Sequence, residues 1–311
     1  MSFPSDLSAE SVCYLNGTFQ PLSQCRVSVL DRGFIFGDGV YEVIPAYGRR
    51  VFQVDAHLAR LARSLNAVEM TNPCSKEDWL ALVQELLARN AEDDQCIYIQ
   101  VTRGVARRDH AFPRGVEPTV FMMSFPFPHI PADKRASGVA CITAPDLRWR
   151  NGHIKSTALL GNVLARQLSA EIGAAETILI RDGWLTEASA SNVWVVRNGR
   201  LCAPLRDHDK LEGIRVSLLE ELASEVGINM EFRPIAEWEL RCAEEIMLTS
   251  ATKEVISVTT LDGKNVSEGR PGPVSQSLYA AYQDAKKRIG PDNCAGQHAD
   301  PLKKRYRPKN A

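Results

Sequence analysis

The chain has 311 residues, 44% of them hydrophobic and 24% charged, with a formal net charge of −1. That is the make-up of an ordinary soluble globular protein, long enough for one large domain or two modest ones. A near-neutral chain gives no ground for nucleic acid or an acidic membrane as partner, and no apolar run approaches a membrane span.

Eight cysteines are scattered with no C-x-x-C pair, which argues against a zinc ribbon or a redox motif. Most of them read as small buried hydrophobes in a reducing cytosol. The six histidines show no i, i+4 pairing, so no metal site is expected. The N-terminus has neither the basic region nor the apolar core of a signal peptide, and a cytoplasmic protein is expected.

In chain order, Cys13-Tyr14-Leu15 runs into Asn16-Gly17, a hairpin signal. Asp55 reads as the N-cap of a helix with Leu58, Leu61, Leu65 and Val68 on one face. Ser75 opens a second helix, with Asp78 placed as a capping-box acid and Trp79, Leu80, Val83, Leu86 and Leu87 as its buried stripe. Residues 97–102 and 120–124 read as strands. The prolines Pro126, Pro128 and Pro131 cannot sit inside a helix or a central strand. They mark a linker over 126–136, dividing an N-terminal domain (1–125) from a C-terminal one (137–290).

Beyond the linker, 139–143 is a strand. Leu159, Leu160, Val163, Leu164, Leu168 and Ile172 have the spacing of a packed helix face. Hairpins are expected at Arg181-Asp182-Gly183 and at Arg197-Asn198-Gly199-Arg200. Gly213 precedes a helix that Gly227 stops. Strands follow at 246–249 and 254–260, then a last helix over 275–287. The polar, basic segment 291–311 reads as a disordered tail.

Lys155 carries the most chemistry. It is the only lysine between Lys134 and Lys210, and no acid lies between Asp146 and Glu171 to pair with it locally. On residue type alone a snorkelling lysine is the plainer reading. The alternative is a lysine kept dry, whose amine loses its proton more easily and can attack a carbonyl. Glu187, among small polar residues between apolar strand segments, could keep a pyridinium nitrogen protonated. On spacing alone an exposed hairpin acid is the plainer reading there. Gly213-Ile214-Arg215 places amides at a helix start where anions bind, and Thr249-Ser250-Ala251-Thr252 adds hydroxyls and amides. Arg60 could reach a phosphate as a charged donor. Arg103, Arg107, Arg108 and His110 put four potential cations in eight positions, either a solvated loop or a carboxylate trap.

Taken together, these segments resemble the fold-type IV (class IV) pyridoxal-phosphate-dependent aminotransferases, and within them the D-amino-acid (D-alanine) transaminases. The blocks are Asp31 to Val43, His57 to Leu61, Gln100 to Gly104, Ile154-Lys155-Ser156 leading to Leu159-Leu160-Gly161, Thr186-Glu187 to Val193, and Thr249-Ser250. They span about Tyr14 to Lys264 in the family's order. The resemblance implies a two-domain α+β fold, with a smaller N-terminal α/β domain and a larger β-barrel-like C-terminal domain flanked by helices. It implies pyridoxal 5'-phosphate held as a Schiff base on Lys155. Glu187 would face the ring nitrogen and Leu211 would pack on the ring. Arg60, Gly213, Ile214, Arg215, Ser250 and Ala251 would lie at the phosphate. Tyr41, Arg108 and His110 match the residues that trap the substrate carboxylate, the last two donated across a homodimer interface. Ping-pong transamination between a D-amino acid and a 2-oxo acid follows.

Two positions depart from the family. Arg215 stands where a threonine is usual, and Ala251 stands where a threonine is common. Arg215 either grips the phosphate or points outward along the helix. The rival readings are an aminodeoxychorismate lyase, a branched-chain or (R)-amine transaminase, and an idle protein that only binds the cofactor.

Overall fold

The computed structural model describes residues 8–289. Within it the chain divides into two compact units. One holds the residues up to Phe127 with Ser156–Ala158 and Ile289; the other holds Pro128–Lys155 and Leu159–Arg288. This is the two-domain α+β architecture the sequence predicts. The tail 291–311, with Cys294 and His298, lies outside the described residues.

The first unit is built on a six-stranded antiparallel sheet. Its elements are β1 (Val12–Leu15), β2 (Thr18–Pro21), α1 (Arg32–Phe36), β3 (Gly39–Tyr47), β4 (Arg50–Val51), α2 (Val54–Ala67), α3 (Lys76–Arg89), β5 (Gln95–Thr102) and β6 (Thr119–Pro126). The sheet order is β2-β1-β6-β5-β3-β4. The β1–β2 turn is made by Asn16 and Gly17 with φ of 46° and 95°, the left-handed pair a two-residue hairpin needs. Ser75 caps α3 in a capping box with Asp78. Leu82 rather than Leu80 completes its buried stripe. The cap of α2 differs from expectation. The chain arrives from β4 and turns helical at Val54, so Gln53, at φ 57°, is the N-cap. Asp55 falls in the first turn, where an acid suits the helix dipole, and pairs with Lys76 at 2.8 Å. Pro126 is the last residue of β6, paired with Gln95, so the strand takes in the first residue of the stretch read as a linker. Ser156–Ala158 belong here because Ser156 bridges Val40 and the Thr157 amide donates to the Gly39 carbonyl at 2.9 Å.

The second unit carries α4 (Ala132–Ser137), β7 (Val139–Pro145), α5 (Leu160–Glu171), β8 (Glu176–Arg181), β9 (Trp184–Ala188), β10 (Asn192–Arg197), β11 (Arg200–Ala203) and α6 (Ile214–Glu225). There follow β12 (Met230–Phe232), α7 (Glu237–Arg241), β13 (Glu245–Ser250), β14 (Glu254–Leu261), β15 (Lys264–Asn265) and α8 (Pro273–Lys287). The strands form one sheet in the order β12-β11-β10-β13-β14-β7-β8-β9, with β15 added to β14. The sheet curls: the Ala188 amide at the end of β9 donates to the Ser191 carbonyl beside β10, at 2.8 Å. Alternate residues point into the curl, among them Val193, Val195, Ile246, Leu248, Ile256 and Val258. Asp182-Gly183 and Asn198-Gly199 make the two expected hairpin turns, all four at positive φ.

Helix α5 overturns one expectation. Its buried residues are Ala165 and Ser169. Leu160, Val163, Leu164, Leu168 and Ile172 are exposed, between 48% and 71%. Small residues let α5 lie close to β8, and the apolar stripe faces away from the chain's own core. The cysteines also divide: Cys13, Cys96, Cys141 and Cys202 are buried, Cys25 and Cys74 are half-buried, and Cys242 is exposed.

Candidate active site

In the second unit Lys155 follows a short turn in which the Ile154 amide donates to the Asn151 carbonyl, and its side chain is half-buried. That turn packs on the loop leading to Leu211. The His153 amide donates to the His208 carbonyl at 3.2 Å, and a Cβ on Gly152 would lie 2.5 Å from the Asp209 carbonyl oxygen. Only glycine allows that approach.

Glu187, on β9, is 6% exposed, so the reading as an exposed hairpin acid does not hold. Pairing of β8 with β9 turns it inward, where Arg148 donates a hydrogen bond to its carboxylate. Its other oxygen accepts from the Leu211 amide at 3.2 Å. Arg148 in turn grips Asp146 with Nε and Nη2, each at 2.9 Å, and Thr186 donates to the same carboxylate at 2.8 Å. Burial pushes the Glu187 carboxyl up, and Arg148 and the Leu211 amide pull it back. Burial also works against charge on Asp146 and Arg148. Their pairing outweighs it, holding Asp146 below the ordinary carboxylate range and Arg148 above the ordinary guanidinium one. The site therefore holds a dry carboxylate anchored on one side by an arginine.

The Leu211 carbonyl accepts from Asn192 Nδ2 at 2.8 Å, and Asn192 also decides position 213. A Cβ on Gly213 would meet Asn192 Oδ1 at 2.0 Å, so a side chain at the N-cap of α6 would displace the Asn192 amide from the Leu211 carbonyl. The first amides of this helix have no acceptor within the helix, which makes its start receptive to an anion. The turn after β13 is tied down by Ser250, whose Oγ accepts from the Lys253 amide at 3.0 Å, and by Lys253 Nζ on Glu176 at 2.6 Å. Arg215 is 2% exposed; its Nη2 donates to the Ala251 carbonyl at 3.5 Å and its guanidinium lies 5.4 Å from the Tyr282 ring centre. It points inward to the second turn, not outward along the helix.

In the first unit Tyr41, on β3, stacks at 5.7 Å on Tyr98. Arg108 and His110 are exposed and meet on one ring, Arg108 at 5.5 Å and His110 at 5.3 Å from the centre of Phe36. Their loop is held by Arg32, which donates to the Asp109 carbonyl at 2.5 Å, and by Arg103 stacked at 3.7 Å on Phe112. Arg60 is buried, bonded to Glu42 through Nε at 2.6 Å and Nη2 at 2.9 Å, and His57 Nδ1 sits 2.9 Å from the same carboxylate. The structure thus joins Glu187, Leu211, Gly213, Arg215 and Ala251 in one unit, and Arg108 with His110 in the other.

Sequence reasoning did not reach Arg148, Asp146, Asn192, Lys253 or Glu176. A buried Glu187 demands a cation nearby, which would have pointed toward Arg148 had its burial been legible.

These groups suit one cofactor chemistry: an acid for a ring nitrogen, a glycine-capped helix start beside a buried arginine for a phosphate, and a lysine. The chain matches the family described as amino-transferase class IV over residues 39–261 and belongs to it. It is 38% identical to the D-alanine aminotransferase of Bacillus licheniformis over 270 residues, 87% of this chain and 95% of the relative. It is 35% identical to the D-alanine aminotransferase of Staphylococcus aureus (strain MW2) over 271 residues, 87% of this chain and 96% of the relative. The fold is similar to the branched-chain amino acid aminotransferase from Escherichia coli, at a TM-score of 0.80 and 22% identity over 88% of this chain and 93% of that one. A PLP-bound hypothetical aminotransferase from Mycobacterium tuberculosis gives 0.76 and 22%, over 88% and 98%. The protein is a class IV, pyridoxal-phosphate-dependent aminotransferase, as the motif blocks predict. Among the described residues no helix is long and apolar enough to cross a membrane.

Proposed function

We propose that this enzyme moves an amino group between a D-amino acid of the D-alanine or D-glutamate type and a 2-oxo acid such as 2-oxoglutarate or pyruvate, by a ping-pong mechanism in the cytoplasm. The observation that carries this reading is Arg108 and His110 converging on Phe36, in a chain 38% identical to a D-alanine aminotransferase. A guanidinium grips a carboxylate with two parallel bonds, and an imidazole beside it adds a third donor.

When bound, pyridoxal phosphate supplies the carbonyl that takes up the amino group and a ring that accepts electron density. Lys155 Nζ would hold it, and the same amine would take the proton from the substrate Cα and deliver a proton on the cofactor side, as general base and then general acid. Glu187, kept dry and anchored by Arg148, holds the proton on the ring nitrogen, and Leu211 packs against the ring. The turns at Gly213, Ile214 and Arg215 and at Ser250 and Ala251 hold the phosphate with Arg60. Tyr41, Arg108 and His110 hold the substrate carboxylate, so Lys155 reaches one face of Cα only.

Arg108 and His110 are exposed, which suits donation to a second copy of the chain, and the bare apolar stripe of α5 supports such a homodimer. D-alanine with 2-oxoglutarate should yield pyruvate, and Lys155→Ala should abolish it. The similarity of fold to branched-chain enzymes makes L-leucine the control: turnover of L-leucine without D-alanine would refute the assignment.

A further inference from the structure

The two turns proposed to hold the phosphate carry an arginine at position 215 and an alanine at position 251. Position 215 has no threonine hydroxyl, and position 251, an alanine, offers no side-chain donor. Arg215 sits in the first turn of α6 at 2% exposure, its Nη2 on the Ala251 carbonyl at 3.5 Å and its guanidinium against Tyr282 of α8. It therefore spans from the helix start to the turn after β13. The far end of that turn is pinned by Lys253 on Glu176.

We infer that Arg215 is a phosphate-positioning residue: it braces the Ser250–Thr252 turn against α6 and supplies the fixed positive charge behind both turns. A carbonyl engaged by Arg215 is not aimed at an anion. Across a trans peptide the next amide points the opposite way, so holding the Ala251 carbonyl also fixes the direction of the Thr252 N–H. A guanidinium this deeply buried gains strongly from a dianion nearby, because little water screens the pair. The charge of Arg215 thus adds to what the amides of the two turns offer an anion. This rests on the phosphate placement proposed above, which the test checks separately.

Full-length protein freed of cofactor is titrated, by absorbance, with pyridoxal 5'-phosphate and with pyridoxal, which lacks the phosphate. Arg215→Gln keeps an amide donor without the charge but two bonds shorter, Arg215→Lys keeps the charge without the fork, and Arg215→Thr offers a hydroxyl alone. Arg215→Gln should weaken pyridoxal 5'-phosphate about tenfold or more and leave pyridoxal within about twofold, with Arg215→Lys between Arg215→Gln and the unaltered chain. The ³¹P resonance of the bound cofactor should shift in Arg215→Gln. An unchanged phosphate preference, or equal losses for both compounds, would overturn the inference, as would collapse of the fold in all three variants. Ser250→Asp tests the placement: a carboxylate there must weaken pyridoxal 5'-phosphate but not pyridoxal. If it does and Arg215→Gln does not, the placement stands and the inference fails; if it does not, the placement fails first.

Discussion

Arg148 and Glu187 form a buried ion pair, and the same guanidinium is chelated by Asp146 on its other edge. The side chains of all three are 8% exposed or less. Removing the cation would strand Glu187 in a dry site, while Asp146 keeps Arg181 at 3.1 Å. Arg148→Met should lower the unfolding free energy by about 3–5 kcal/mol, the usual cost of breaking one side of a buried pair. Urea unfolding of the purified variant measures it, and a loss under about 1 kcal/mol would mean water reaches Glu187.

Glu42 gives a pH dependence with a defined sign. Burial works against its charge, but the Arg60 charge and hydrogen bonds, with His57, hold its pKa well below the ordinary 4.5. On acidification the unfolded chain takes up this proton before the folded one does. The stabilisation is fully present above pH 4.5 and is lost as pH falls through the lower folded value. Replacing Glu42 with Gln should flatten the acid limb of the stability curve and leave a smaller pH dependence below pH 4.5. A variant with the same acid limb as the unaltered chain would remove Glu42 as its source.

The sequence was readable where the cause of structure is local. Asn16-Gly17, Asp182-Gly183 and Asn198-Gly199 make turns because those residues tolerate positive φ, and neighbours alone show it. The Ser75 cap and the Gly213 helix start belong to the same class. The stripe on α5 misled because periodicity tells which residues share a face, not what covers it. Glu187 misled for a different reason. Its partner Arg148 lies 39 residues upstream and meets it only through the β7-β8-β9 pairing, which no local spacing reports. The inward course of Arg215 likewise depends on Ala251, 36 positions away.

The exposed face of α5 should be where two copies meet. Val163 and Leu164 are 58% and 61% exposed on adjacent positions of one helix face, with Leu160 and Leu168 a turn to either side. Leu164→Glu adds a charge at the centre without touching the inward Ala165 and Ser169. Sedimentation should show a single chain for the variant and a pair for the parent, with unchanged far-ultraviolet circular dichroism. A variant that still sediments as a pair would move the interface elsewhere.

Arg108 offers the sharpest test of substrate class. The residue is exposed and its guanidinium lies 5.5 Å from the Phe36 ring centre. Arg108→Ala should therefore raise KM for D-amino acids by roughly the 1.5–3 kcal/mol of a hydrogen bond to a charged group, about 10- to 150-fold. Because a carboxylate grip acts on ground state and transition state alike, kcat should change far less. The absorbance of the bound cofactor should stay as it is. A variant with unaltered KM would take Arg108 out of the carboxylate trap. Loss of kcat at constant KM would place Arg108 in the proton-transfer step, a role its distance from Lys155 in sequence and its exposure give no reason to expect.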